Sequence, residues 1–268
     1  MDITERLNQF FNRLYSDYVM PSRMEEYRQL NIKAKELGYS HMTMLSFVEG
    51  YQEGKLPDKV FINRHDIDTD LLRAAEWNRI ESDLGIPATY YFRLSTAEPG
   101  LMDQILRSGS EIGYHYEEVA SYAYRMRIRN REEIMTHMEP MRALFRKNLE
   151  AFNARLSKPV RTIASHGDFV NRMLDVPNHI LVDESIRASF SLVAEAYDPW
   201  LLEAINVYIS DRPHPERYHP LSPQAAMEQG MPVICLLTHP RHWGANASHN
   251  LNQDMERLGK GLMYQIPL

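Results

Sequence analysis

The chain has 268 residues, 44% of them hydrophobic, a formal charge of −6 and one cysteine. That is enough apolar material for one sizeable core in a single domain, and the acidic balance excludes a nucleic-acid partner of the usual kind, which carries a basic stripe. The lone Cys235 excludes an intramolecular disulfide and a cysteine-built zinc cage.

Residues 1–58 predict a helical preface. Leu7, Phe10, Phe11, Leu14, Tyr15 and Tyr18 recur at helical spacing. A second helical pattern covers 24–37 and stops at Gly38, and a third runs from 41 to about 49. The aromatic side chains of this preface are expected to pack rather than to bind a ligand. They suit an intersubunit interface as well as a lid, so the oligomeric state stays open. The opening MDITERLNQFFNRL lacks a basic segment followed by an apolar one, and so does not read as a signal peptide. No apolar stretch approaches the ~18 residues that span a bilayer. The expectation is a cytoplasmic chain, with peripheral membrane contact left open.

From residue 59 the pattern changes to short apolar runs separated by helical stretches. Candidate strands fall at 59–65, 88–93, 111–115, 160–165, 179–183, 205–210 and 232–238. Helical patterns fall at about 69–84, 101–108, 130–155 and 223–229. This alternation argues for an α/β chain of parallel βαβ units. Seven strands suit a closed or nearly closed barrel; an open doubly wound sheet is the alternative, but neither glycine-rich phosphate-loop pattern occurs. The basic stretch 125–131 reads as a solvated helix face or loop. Segment 211–223, rich in proline and histidine, reads as a long loop.

In such sheets, functional groups gather at the C-terminal ends of strands, and polar residues recur there. The first candidate strand ends in Arg64-His65-Asp66-Ile67-Asp68. Later ends supply His115, Glu117 and Glu118; His166, Gly167 and Asp168; Asp183 and Glu184; Asp211 and Arg212; and finally His239, Pro240, Arg241, His242 and Trp243. Taken singly, each has an ordinary structural reading. Asp68 or Thr69 can cap a helix, His115 can be a core histidine, His166-Gly167 a turn and His239-Pro240 a strand terminator. A strand's period of two, however, puts Asp66 and Asp68 on one face. Two carboxylates there repel unless a cation or a shared proton relieves them. Together these groups point to metal-assisted hydrolysis. A divalent cation such as zinc takes imidazole and carboxylate ligands, a carboxylate beside it removes a proton from water, and a histidine protonates the leaving group.

The succession RHDID, ATYYF, EIGYHYE, a strand ending SHG and a strand ending LLTHP resembles the polysaccharide deacetylase family with NodB homology. Within that family it is similar to the branch found in O-antigen and other surface-polysaccharide clusters. The resemblance spans about 59–243, between the helical preface 1–58 and a C-terminal segment 244–268. It implies a distorted seven-stranded (β/α) barrel with an N-terminal helical extension. It also implies a metal-dependent hydrolase that removes an N-acetyl group from an amino sugar or glycan intermediate. Carried over by residue, Asp66 matches the catalytic base, Asp68 the metal-ligand aspartate, His115 the first histidine of an H-x-x-x-H metal motif, and His239 the general acid. In most members the two aspartates are adjacent, whereas Ile67 separates them here. The second motif histidine falls on Val119; Glu117, Glu118 and His166 are candidates to replace it, with His166 favoured for its place at another strand end. By position, Arg64 and Arg241 orient Asp66 or bind an anionic group of the substrate, and Glu117, Asp211 and Trp243 are expected at the substrate. Two other readings stay open: a catalytically silent glycan-binding protein on the same scaffold, and a deformylase or other C–N amide hydrolase.

Overall fold

The computed structural model describes residues 3–265. Nine strands form one sheet: β1 (Ser40–His41), β2 (Val60–Ile67), β3 (Thr89–Phe92), β4 (Glu111–Tyr116), β5 (Thr162–Ser165), β6 (Ala194–Glu195), β7 (Val207–Asp211), β8 (Tyr218–His219) and β9 (Val233–Thr238). They lie in the order β6-β5-β4-β3-β2-β9-β7-β8, with β1 beside the start of β2. Only the β7–β8 pair is antiparallel. Parallel neighbours need crossovers, and helices supply them: Leu71–Leu84 between β2 and β3, Pro99–Arg107 between β3 and β4, and Glu118–Met126 with Met138–Asn153 between β4 and β5.

The sheet curls into a half-barrel. Ala194 of β6 shares one apolar cluster with Val60 and Ile62 of β2 and with Val233 and Cys235 of β9. In a flat sheet β6 and β2 would stand roughly 19 Å apart, four strand spacings of ~4.8 Å. Strands β6 and β8 end the hydrogen-bonded path, so the barrel stays open.

Strand β2 is buried along its whole length, and its period of two sorts its side chains. Val60 and Ile62 enter the cluster inside the curl, followed on the same face by Arg64 and Asp66. Phe61, His65 and Ile67 face the helices. His65 stacks on Trp77, 4.3 Å between ring centres. It pairs with Thr238 Oγ1 at 2.6 Å and Glu81 Oε1 at 2.7 Å. The hydroxyls of Tyr27 and Tyr90 donate to the same Glu81 carboxylate at 2.6 and 2.5 Å. These buried polar groups thus satisfy one another, and they tie the preface helix Met24–Glu36 and the helix Leu71–Leu84 to the strand that ends at the site.

Several sequence expectations need correction. The sheet has nine strands rather than seven, because three two-residue strands (β1, β6 and β8) add to its edges. Residues 179–183 are not a strand. Asn178–Leu181 is a 3₁₀ turn, held where Asn178 Oδ1 accepts from Val119 N at 2.9 Å and its amide donates to His166 O. The three-residue apolar run at 180–182 is too short to separate a strand from a turn. The strand at this place in the order is Ala194–Glu195, too brief to show alternation. The expected helix 130–155 is two, Arg131–Met135 and Met138–Asn153. Among the described residues, no helix is long and apolar enough to cross a membrane.

Gly113 records how tightly the inner face packs. A Cβ there would lie 2.3 Å from the Tyr91 ring and 2.8 Å from the Thr162 carbonyl oxygen, neither of which is a flexible chain end. Gly113→Ala should therefore cost at least ~1–3 kcal/mol by overpacking and lower the midpoint of thermal unfolding. Gly167→Ala, which meets nothing within 4 Å, should leave that midpoint unchanged.

Candidate metal centre

Strand β2 stops at Ile67, and the next residue turns back, with Asp68 N–H donating to Asp66 O at 3.0 Å. Asp68 is therefore carried by a tight turn rather than by the strand itself. The turn still brings both carboxylates to one imidazole. His115 Nε2, from the inner face of β4, lies 3.5 Å from Asp66 Oδ2 and 3.3 Å from Asp68 Oδ1. The other nitrogen, His115 Nδ1, meets the Ala164 carbonyl of β5 at 2.9 Å. A carbonyl only accepts, so Nδ1 carries a proton and Nε2 is the nitrogen turned to the aspartates.

His166 comes from the end of the next strand, with its backbone N–H donating to Tyr116 O at 2.8 Å. Its Nε2 is 3.5 Å from Asp68 Oδ1. Asp68 Oδ1 itself is buried and has no hydrogen bond of acceptable geometry. Asp68, His115 and His166 each offer one ligand atom, all within 4.8 Å of one another. Around a tetrahedral ion with bonds of ~2.1 Å, ligand atoms sit roughly 3.4 Å apart, and the separations of 3.3 and 3.5 Å match that spacing. An orphaned carboxylate oxygen facing two imidazole nitrogens fits a divalent cation with nitrogen and oxygen ligands. Val119, where the family motif would put its second histidine, packs instead in the apolar core on helix Glu118–Met126. Glu118 is buried against Tyr114 and Asn148 and turned away from this group.

Asp66 is held differently. Arg64 Nε and Nη2 donate to its two oxygens at 2.9 and 2.8 Å. The remaining Arg64 donors reach Tyr208 OH at 2.8 Å and Tyr197 OH at 3.1 Å, and the guanidinium lies over the rings of Tyr197 and Tyr91. Burial alone would favour a protonated Asp66, but Arg64 and then His115 overcome it, and the carboxyl sits below the usual carboxylate range. Asp68 is pushed lower still: burial opposes its charge, and His166 and His115 outweigh burial.

His239 leaves the end of β9 with its Nδ1 2.7 Å from Asp211 Oδ1. Asp211 is buried, and its second oxygen accepts from His239 N at 2.7 Å and Trp243 Nε1 at 2.9 Å. Burial opposes a charge on His239, yet Asp211, with smaller help from Asp68 and Asp66, pushes the imidazole up to about 9. His242 adds a second imidazole to the same carboxylate, Nδ1 to Oδ1 at 3.0 Å.

The structure places the sequence-derived residues in three groups. Asp66, Asp68, His115 and His166 converge, and His239 is close enough to bias the proton equilibria of both aspartates. Glu117 lines the adjoining cavity of about 590 Å³ with Asp68, His166 and Arg93; Arg93 pairs with it, and its Oε2 lies 3.7 Å from His166 Nδ1. The remaining four lie outside the lining of that cavity. Arg64 and Trp243 have no exposure, and Asp211 has 1%. Arg241 is taken by Asp17 at 2.6 Å and Asp254 at 2.8 Å. Sequence reasoning missed Tyr91, Tyr197 and Tyr208 around Arg64, and it named His242 at a strand end without a role beside Asp211. Tyr208 alone carried a signal, an inward position at period two on β7. It also missed the cavity wall formed by Gln253, Arg257 and Lys260 of helix Ala247–Gln265. Nothing local marks those residues, because only docking of that helix brings them to the site.

No protein-family model and no curated protein matches the chain. Several solved structures are similar to it at a low level. The Streptococcus pyogenes deacetylase PplD, in complex with acetate, is 12% identical over 65% of this chain and 73% of its own, with a TM-score of 0.42. The peptidoglycan deacetylase PdaC of Bacillus subtilis is 10% identical over 78% and 98%, with a TM-score of 0.41. BA3943, a CE4 family pseudoenzyme from Bacillus anthracis, is 13% identical over 78% and 66%, with a TM-score of 0.41. A likeness of this size leaves what the chain does to be argued from its own side chains.

Proposed function

We propose that the chain is a metal-dependent hydrolase that removes an N-acetyl group from an amino sugar or glycan intermediate in surface-polysaccharide assembly. One observation carries the reading. The buried, unbonded Asp68 Oδ1 faces two imidazole nitrogens at 3.3 and 3.5 Å, beside a carboxylate held ionised by Arg64 and an imidazole held charged by Asp211. Amide hydrolysis needs those parts at one place: a cation site, a base and an acid.

Asp68, His115 and His166 would hold the cation, and their mixed nitrogen and oxygen donors suit zinc. When bound there, the cation supplies Lewis acidity to a water and to the amide carbonyl. Asp66 takes the proton of the attacking water. Arg64 fixes both carboxylate oxygens, so the base keeps its charge and its orientation in a buried setting. His239 delivers a proton to the departing nitrogen, and Asp211 holds its ring by Nδ1 and stabilises the imidazolium. The cavity beside Asp68 has a volume in the range of small-molecule sites. Its charged and hydroxyl-bearing walls, among them Arg93, Thr96, Glu117 and Lys260, suit the hydroxyl groups of a sugar.

The silent glycan-binding reading rests on Val119 in place of a ligand; a third donor supplied by His166 from another strand would weigh against it.

Metal content and acetate release test this reading together. Protein purified without added metal should carry about one divalent cation per chain by elemental analysis and release acetate from N-acetylated amino sugars. Asp68→Ala and His115→Ala should lose both the metal and the activity while keeping the native circular-dichroism spectrum; full metal occupancy in either would refute the ligand set. Asp66→Asn should keep the metal and lose ~10²–10⁴-fold in kcat. Turnover of formylated but not acetylated sugars would reassign the bond.

The proton donor predicts a pH dependence. His239 must be protonated to act, and its folded-state value of about 9 lies above the ordinary imidazole range, so kcat should hold through neutral pH and fall as pH rises through about 9. Asp211→Asn removes the partner that raises it. The alkaline limb should then move to lower pH, read from kcat profiles of the two proteins; an unmoved limb rules out His239 as the acid.

A further inference from the structure

Helices Ile3–Tyr18 and Ala247–Gln265 touch each other through polar groups, and they present the opposite polarity to solvent. On their body side, Tyr18 OH donates to Asp254 at 2.7 Å, Asn250 donates to Asp17 O at 2.6 Å, and Arg241 joins Asp17 to Asp254. On the outer side the C-terminal helix carries Leu251, Met255, Leu258 and Leu262, at spacings of four, three and four. The N-terminal helix carries Leu7, Phe11 and Leu14 at spacings of four and three, with Phe10 alongside. These side chains are 37–65% exposed, and among the described residues nothing covers them.

Three features identify the occupant. The four-three-four spacing is the seam of helix-on-helix packing, in which side chains interdigitate with those of another helix. The uncovered side chains leave on the order of 900 Å² of surface, above the ~300–600 Å² of the largest patch on an ordinary monomer and close to the ~800 Å² per partner of a standard interface. The charges on the two helices balance, with Glu5, Asp17, Asp254 and Glu256 against Arg6, Arg13, Arg257 and Lys260. A helix suited to an anionic bilayer carries an excess of Lys and Arg.

We propose that a second copy of this chain covers the face, in a two-fold dimer that packs these two helices against their counterparts. Such an isologous contact needs one self-complementary patch, and an apolar seam is self-complementary. The dimer bears on the cavity too. Gln253, Arg257 and Lys260 line it from the same helix whose outer stripe would be covered, so the contact would hold one wall of the cavity in place. The inference does not depend on the reaction assigned to that cavity.

Light scattering coupled to size exclusion tests the proposal on the full chain at ~10–100 µM, against a chain mass of 31.3 kDa. The expected mass is twice that of one chain. The double variant Leu14→Asp, Leu258→Asp should elute as a monomer with an unchanged circular-dichroism spectrum. A wild-type protein that remains monomeric throughout overturns the proposal, including one that floats with phosphatidylglycerol vesicles, since the face would then serve a membrane. A dimer that survives both substitutions overturns it as well, because its interface lies elsewhere.

Discussion

The arrangement of the site depends on one buried ion pair. Arg64 and Asp66 stand two residues apart on a fully buried strand, with side-chain exposures of 0% and 2%. Burying two charges is costly, and the cost is offset only when geometry is good and every remaining donor finds a partner. Arg64 meets that condition with two bonds to Asp66 and one each to Tyr197 and Tyr208, while aromatic rings cover its face. Tyr197 follows the edge strand β6 and Tyr208 sits on β7, so their oxygens can reach Arg64 only because the sheet curls. The curl, the pair and the ionised state of Asp66 therefore stand or fall together.

The second constraint is the division of labour between the two carboxylates. Both face His115, yet their surroundings differ. Asp66 is saturated by a guanidinium, which fixes its charge and its direction. Asp68 keeps one oxygen free of hydrogen bonds and turned toward two imidazoles. A saturated carboxylate suits proton transfer, and an unsaturated one suits a cation. Asp211 repeats the saturated pattern beneath His239, where a buried acid with three donors around it keeps an imidazole charged. Strands β2, β4, β5 and β9 thus each bring one or two groups, and Asp66 and His239 are each set by a buried charged neighbour.

Much of this was legible in the sequence. Six of the seven candidate strands lie within two or three residues of their observed places, since apolar runs between helical stretches follow from burial on both sheet faces. The convergence of Asp66, Asp68, His115, His166 and His239 followed from the rule that polar groups collect at the C-terminal ends of such strands. The failures share a cause. Residues 179–183 hold a short apolar run because a turn that packs one side chain into the core needs one too, and periodicity cannot be read over so short a run. Trp243, Asp211 and Arg241 were expected at the substrate from their places at strand ends, which say nothing of side-chain direction; in the fold Trp243 turns to Asp211 and Arg241 to the acids of the terminal helices.

By itself the sequence determined the local periods: which segments become strands, which faces they bury, and which acids and imidazoles stand at strand ends. These are properties of neighbouring residues, set by the two-residue repeat and by burial. Only the tertiary structure decided the tyrosines around Arg64, the half-open curl and the cavity wall contributed by the last helix. Each of these joins positions tens to hundreds of residues apart, and no local pattern encodes a distance that arises when the sheet bends and the terminal helices dock.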